Sequence, residues 1–124
     1  MLDAILGNAS EVEAKELSGE MTQILSEGES IVKAFRLIRD YFVFTDKRLI
    51  LVDKQGITGK KKEYHSIPYR SITHFAVQTA GSFDRDAEMK IWIGSNPTPI
   101  EREFKKGMDL IIGVQQTLAH YVLK

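Results

Sequence analysis

Cysteine is missing from the chain, which excludes a disulfide framework, a thiolate zinc site and a thiol nucleophile. At 124 residues the chain is one domain in length and can bury a core without such staples. No apolar run approaches the roughly 20 residues that cross a bilayer. Residues 1–10, MLDAILGNAS, lack the basic start and long apolar centre of a secretory signal. These absences lead to the expectation of a soluble, cytoplasmic protein. Net charge is absent too, since 17 bases balance 17 acids. A bulk nucleic-acid binder carries a clear basic excess, so that class is set aside.

The balance hides a lopsided distribution. Residues 1–29 hold seven acids against Lys15, whereas the remaining 95 residues hold 16 bases and 10 acids. An acidic arm beside a mildly basic body implies mutual attraction, within one chain or between copies. The boundaries read from this are an N-terminal acidic helical arm over 1–29 and a folded domain over 30–124. In the arm, Leu2, Ile5, Leu6 and Ala9 suggest a helical turn that Gly7-Asn8 interrupts. Ser10 and Glu13 have the spacing of a capping box, which predicts a second helix starting there. Val12, Leu17, Met21, Ile24 and Leu25 form a narrow apolar stripe on that helix, and such a stripe must dock on something.

From Ser30 the period changes to that of strands. Residues 31–38 form the first, and Arg39-Asp40 turns directly into the next. Tyr41-Phe42-Val43-Phe44 and Leu49-Ile50-Leu51-Val52 are aromatic and β-branched runs, separated by a hairpin-length turn. Gly56 and Gly59 mark another turn, and Pro68 ends a third run. Residues 80–83 read as a bend. Along 84–93, Phe83, Ala87, Met89, Ile91 and Ile93 alternate with Asp84, Asp86, Glu88, Lys90 and Trp92. Asn96-Pro97-Thr98-Pro99 is a turn before a short strand at 100–104. Leu110, Ile111, Val114, Leu118, Tyr121 and Val122 then give a helix from about Met108 to Val122 a broad apolar face. The pattern predicts an α+β fold: about seven strands in a bent antiparallel sheet or partial barrel, capped by a C-terminal helix.

The segments FTDKRLILVDKQG, GKKKEYHSIPYRSI, TAGSFD and AEMKIWI, in this order, resemble the bacterial pleckstrin-homology-like family. The resemblance spans nearly the whole chain. It implies a PH-like sheet closed by a C-terminal helix, and ring-shaped homo-oligomers with no established enzymatic activity. Gln78 and Arg85 depart from the family pattern, where an acid and an apolar residue are usual.

Other constellations have plainer readings. Gly56-Ile57-Thr58-Gly59-Lys60-Lys61-Lys62 fails the Walker A pattern, because Lys54 and Lys61 stand where Gly and Ser or Thr are needed. It reads as a strand turn with a basic tip. Lys60, Lys61 and Lys62 could attract an anionic lipid surface, each lysine contributing about 1 kcal/mol. This is the alternative function, and the Arg39-Asp40 turn leaves no room for a headgroup-cradling loop. His65 and His74 could lie on neighbouring strands, but no metal-binding spacing accompanies them. Asp84, Asp86 and Glu88 share a strand face, about 6–7 Å apart, too far to wrap one ion. No nucleophile motif appears. The chain is read as a non-enzyme without metal or cofactor.

The leading expectation is an assembly module that binds a further protein partner. In a sheet with one wet face, strands alternate, yet the runs 41–44 and 49–52 are apolar on both faces. Trp92 falls on a charged face, where a lone monomer would expose it, and Trp is enriched where subunits meet. The expected interface is therefore Leu49, Ile50, Leu51, Val52 and Trp92, with Asp86, Glu88 and Lys90 at its rim. The assembly expected is a closed cyclic homo-oligomer, with five copies as the working number.

Overall fold

Alternation decides which side chains of each strand face inward, and two layers of strands share the inward set. The computed structural model describes residues 10–12, 14–37, 40–56, 60–79 and 86–123. The helical turn expected at 2–9, Glu13 of the capping box, Arg39, residues 57–59 of the glycine turn and the bend with Phe83, Asp84 and Arg85 lie outside them. The elements run β1 (Ser10–Val12), α1 (Ala14–Met21), β2 (Ile31–Arg36), β3 (Tyr41–Thr45), β4 (Arg48–Gln55) and β5 (Lys61–Pro68). A 3-10 turn (Tyr69–Ser71) leads to β6 (Ile72–Thr79), β7 (Ala87–Ile93), β8 (Ile100–Phe104) and α2 (Met108–Val122).

β1 to β5 form one antiparallel sheet in sequence order, and β6 to β8 form a second. This is the expected PH-like architecture with its closing helix, whose bounds match the sequence reading. Even positions of β3 (Phe42, Phe44) and odd positions of β4 (Leu49, Leu51) face the second sheet's Met89, Ile91 and Phe104. Ile111, Val114 and Leu118 of α2 complete that core. Phe42 and Phe104 meet edge to face across the sheets, with ring centroids 5.5 Å apart. Tyr69 joins the helix to this assembly. Its hydroxyl donates to the Thr45 carbonyl at 2.6 Å, and its ring stacks on Tyr121.

The capping spacing predicts a helix start at Ser10, and the structure differs. Ser10, Glu11 and Val12 pair with Arg36, Phe35 and Ala34 as an eighth strand, and the helix begins later, at Ala14. An open edge of β2 offers backbone partners to several residues, which outweighs one local cap.

The apolar stripe of the arm finds its dock on the outer face of the first sheet. Leu17 and Met21 pack with Ala34, Val43, Ile50 and Val52, and Ile24 and Leu25 border them. The arm's charge is also partly answered within the chain. Glu20 pairs with Lys62 and raises the pKa of that ammonium. Glu29 receives a two-pronged bond from Arg48, Nε to Oε2 at 2.9 Å and Nη2 to Oε1 at 2.8 Å. Ser26 N–H and the Thr45 hydroxyl also donate to Glu29, at 2.9 and 2.6 Å. These bonds, with the guanidinium first, hold its carboxyl down at about 2 from an ordinary 4.5.

Candidate functional site

The doubly apolar strands were expected to need a second copy for cover. The structure gives them cover from their own chain. Leu49 and Leu51 lie in the main core, and Ile50 and Val52 lie beneath α1. All four side chains are at most 1% exposed, so none is available to another subunit. This corrects their expected place at an interface, because the main core and α1 cover both faces of the strand.

Trp92 differs from them, because it is only half-buried and lies on the outward face of the second sheet. Register pairs His74 with Trp92, Ala76 with Lys90 and Gln78 with Glu88 across β6 and β7. It also pairs Glu101 with Lys90 and Glu103 with Glu88 across β7 and β8. These residues alternate with buried Met89 and Ile91, so they share the outward face of the second sheet. The half-buried Trp92 ring stacks on exposed His74, with centroids 4.3 Å apart and planes inclined by 16°. Thr73 fixes the corner by donating its hydroxyl to the Trp92 carbonyl at 3.2 Å. Lys90 and Glu101 pair at 3.8 Å beside the stack. The face therefore presents a flat aromatic patch bordered by an ion pair and by Glu88.

Asp86 stands apart from this face in its role. It accepts the Lys106 N–H at 2.7 Å and pairs with Lys105 at 3.6 Å. Lys106 has the unusual φ of 50°, so Asp86 holds a left-handed turn in place before α2. The histidines do not converge, since His65 is on β5 and His74 on β6, in different sheets. Among the described residues no cluster of three or more His, Asp or Glu could hold a metal ion. Lys60 and Lys61 are exposed, while Lys62 is engaged by Glu20. No helix among the described residues is long and apolar enough to cross a membrane.

Sequence reasoning missed a charged cluster at the rim between the sheets. Arg102 of β8 donates through Nη2 to both Asp53 oxygens, at 2.9 and 3.2 Å. Its Nε lies 3.9 Å from Asp40. Burial, then the Asp53 charge, pushes the Asp40 carboxyl above its ordinary 3.8. These groups line an open cleft of about 480 Å³ with Leu37, Lys54, Glu101 and Glu103. A signal existed: Arg102 shares the inward parity of Ile100 and Phe104, so a cation on that face required partners.

The chain matches the family model for the bacterial PH domain over residues 1–122. It is 54% identical over 119 residues to uncharacterized protein YjqA of Bacillus subtilis (strain 168), covering 95% of this chain and 94% of that one. A DUF1696-family crystal structure from Shewanella loihica PV-4, with a pleckstrin-homology domain, superposes with a TM-score of 0.81 at 55% identity. That match covers 94% of this chain and 99% of the other. A pleckstrin homology domain from Shewanella amazonensis SB2B gives 0.82 at 54% identity, over 99% and 98% of the two chains.

Proposed function

The chain belongs to the bacterial PH domain family, and from that premise we propose that it is a non-enzymatic assembly module. Identical copies close into a ring, and the ring offers a composite surface to a protein partner. The observation that carries this reading is the asymmetry between the two sheets. The arm covers the outer face of the first sheet, while the outer face of the second presents Trp92, stacked on His74, to solvent. A large aromatic surface set in a charged rim fits the centre of a subunit contact. A head-to-tail contact joins this patch to a different surface of the next copy, and such contacts close into rings. Trp92, Glu88 and Lys90 form the contact, and five copies remain the working number.

Light scattering at micromolar protein tests this. The expected result is a closed oligomer that Trp92→Ala shifts to monomer, with circular dichroism unchanged. A monomeric parent protein whose mass the substitution leaves alone would overturn the reading. Vesicles rich in anionic lipid serve as the second arm. Pelleting that is lost when Lys60, Lys61 and Lys62 become Ala would transfer the function to a lipid surface. The pairing of Lys62 with Glu20 argues against that outcome.

A further inference from the structure

We propose that Asp40 is a proton-uptake site whose protonation tightens the clasp between the two sheets as pH falls. The argument starts from strand parity. Asp40 shares its face with Phe42 and Phe44, Asp53 with Leu49 and Leu51, and Arg102 with Phe104, and those apolar residues are all in the main core. Three charged residues thus occupy inward positions at one rim. The β3–β4 register pairs Tyr41 with Val52 and Phe42 with Leu51. Extending it by one residue sets Asp40 directly opposite Asp53, and like charges so placed repel.

Two carboxylates therefore share one guanidinium, unequally. Asp53 takes both bonds from Nη2, and Asp40 keeps a 3.9 Å contact to Nε with one long bond, 3.4 Å, from the Lys54 N–H. The surrounding groups do not redress this. The Lys54 ammonium lies 5.1 Å from the centroid of the Tyr41 ring, and Leu37 contributes an apolar wall. On β8, Glu101 and Glu103 border the cleft, Glu101 accepting Arg102 Nη1 through its backbone carbonyl and pairing outward with Lys90.

One proton from solvent resolves the conflict. Bound to Asp40, it makes that carboxyl a donor toward Asp53, which keeps its charge and both bonds to Arg102. The sign follows from the raised pKa. A carboxyl that binds its proton more tightly in the folded state contributes stability that is full below its unfolded value, 3.8, and lost as pH rises through the folded one. Acidification from neutrality therefore strengthens the join of β3 and β4 to β8. Glu29 acts oppositely and only lower down, since its contribution is intact above 4.5.

Carboxyl-detected NMR titration and thermal unfolding across the same pH range test this on the full chain. The Asp40 carboxyl is expected to titrate above 3.8. Asp40→Asn preserves size and the acceptor for Lys54 N–H. It is expected to melt a few degrees above the parent at neutral pH, and that gap closes on acidification. Asp53→Asn is expected to melt lower than the parent at both ends of the range, because it takes charge from the Arg102 bond itself. Titration of Asp40 at or below its ordinary value, or an Asp40→Asn protein with the parental pH slope, would overturn the proposal.

Discussion

Replacing Arg48 with Ala is expected to destabilise the fold by about 3–5 kcal/mol, the usual cost of stranding one member of a buried ion pair. The Glu29 side chain is 1% exposed, and the lost guanidinium supplies two of its hydrogen-bond donors. Arg48 also ties distant segments together, donating to the Ile24 carbonyl and the Ser66 hydroxyl at 2.8 Å each. The arm, the β3–β4 hairpin and β5 would loosen together. The pH dependence gives a second readout. Glu29 titrates at about 2 in the folded protein and contributes stability that is present above 4.5 and lost as pH falls toward 2. In Arg48→Ala that acid limb moves to higher pH. A companion Glu29→Gln, Arg48→Met protein should recover much of the loss, because no charge is left buried. Urea unfolding of the three proteins decides the matter, and an Arg48→Ala cost within about 1 kcal/mol of zero is the result of a surface pair.

The second large effect is expected at Phe104. Its side chain is fully buried and contacts Phe42 on the opposite sheet. Truncation to Ala leaves a cavity where the two layers meet, with an expected cost of about 3–5 kcal/mol. Phe104→Leu refills most of the space and should cost less than about 1.5 kcal/mol. Both proteins should keep the parental urea slope, since the surface exposed on unfolding scarcely changes. A Phe104→Ala midpoint close to that of the parent would mean that the sheets are held together elsewhere.

Local signals carried most of the fold. The runs 41–44 and 49–52, the alternation from Ala87 to Ile93 and the apolar face from Leu110 to Val122 need only neighbours in sequence to be read. Ser10–Val12 defeated that reading because three residues are too few to show a period, and its capping spacing pointed to a helix. The outer dock of the arm was legible in part, since the stripe of Leu17 and Met21 demanded a surface. What it covers was not legible, and so Ile50 and Val52 were assigned to the wrong contact. Trp92 was placed correctly on the charged face of its strand, whereas its partner His74 follows only from a register that includes an irregularity between Ile72 and His74. Ion pairs depend on such registers throughout. Glu29 with Arg48, and Asp53 with Arg102, lie 19 and 49 residues apart, and no spacing rule reaches that far.

The order of strands has a kinetic consequence. Every hydrogen-bonded strand pair among the described residues joins strands consecutive along the chain. Most closures are therefore short, and the search for native pairing needs few distant encounters. The β3–β4 hairpin is the shortest, closed over Asp46 and Lys47, whose neighbour Thr45 accepts the N–H groups of Lys47 and Arg48 at 3.0 and 2.9 Å. Such a unit forms in about 1–10 μs and can act as a nucleus onto which β2 and β5 zip. The arm comes late, because β1 reaches β2 only after α1 and the residues following it have been laid down. Weakening Phe44 should then slow refolding, whereas weakening Met21 should mainly hasten unfolding.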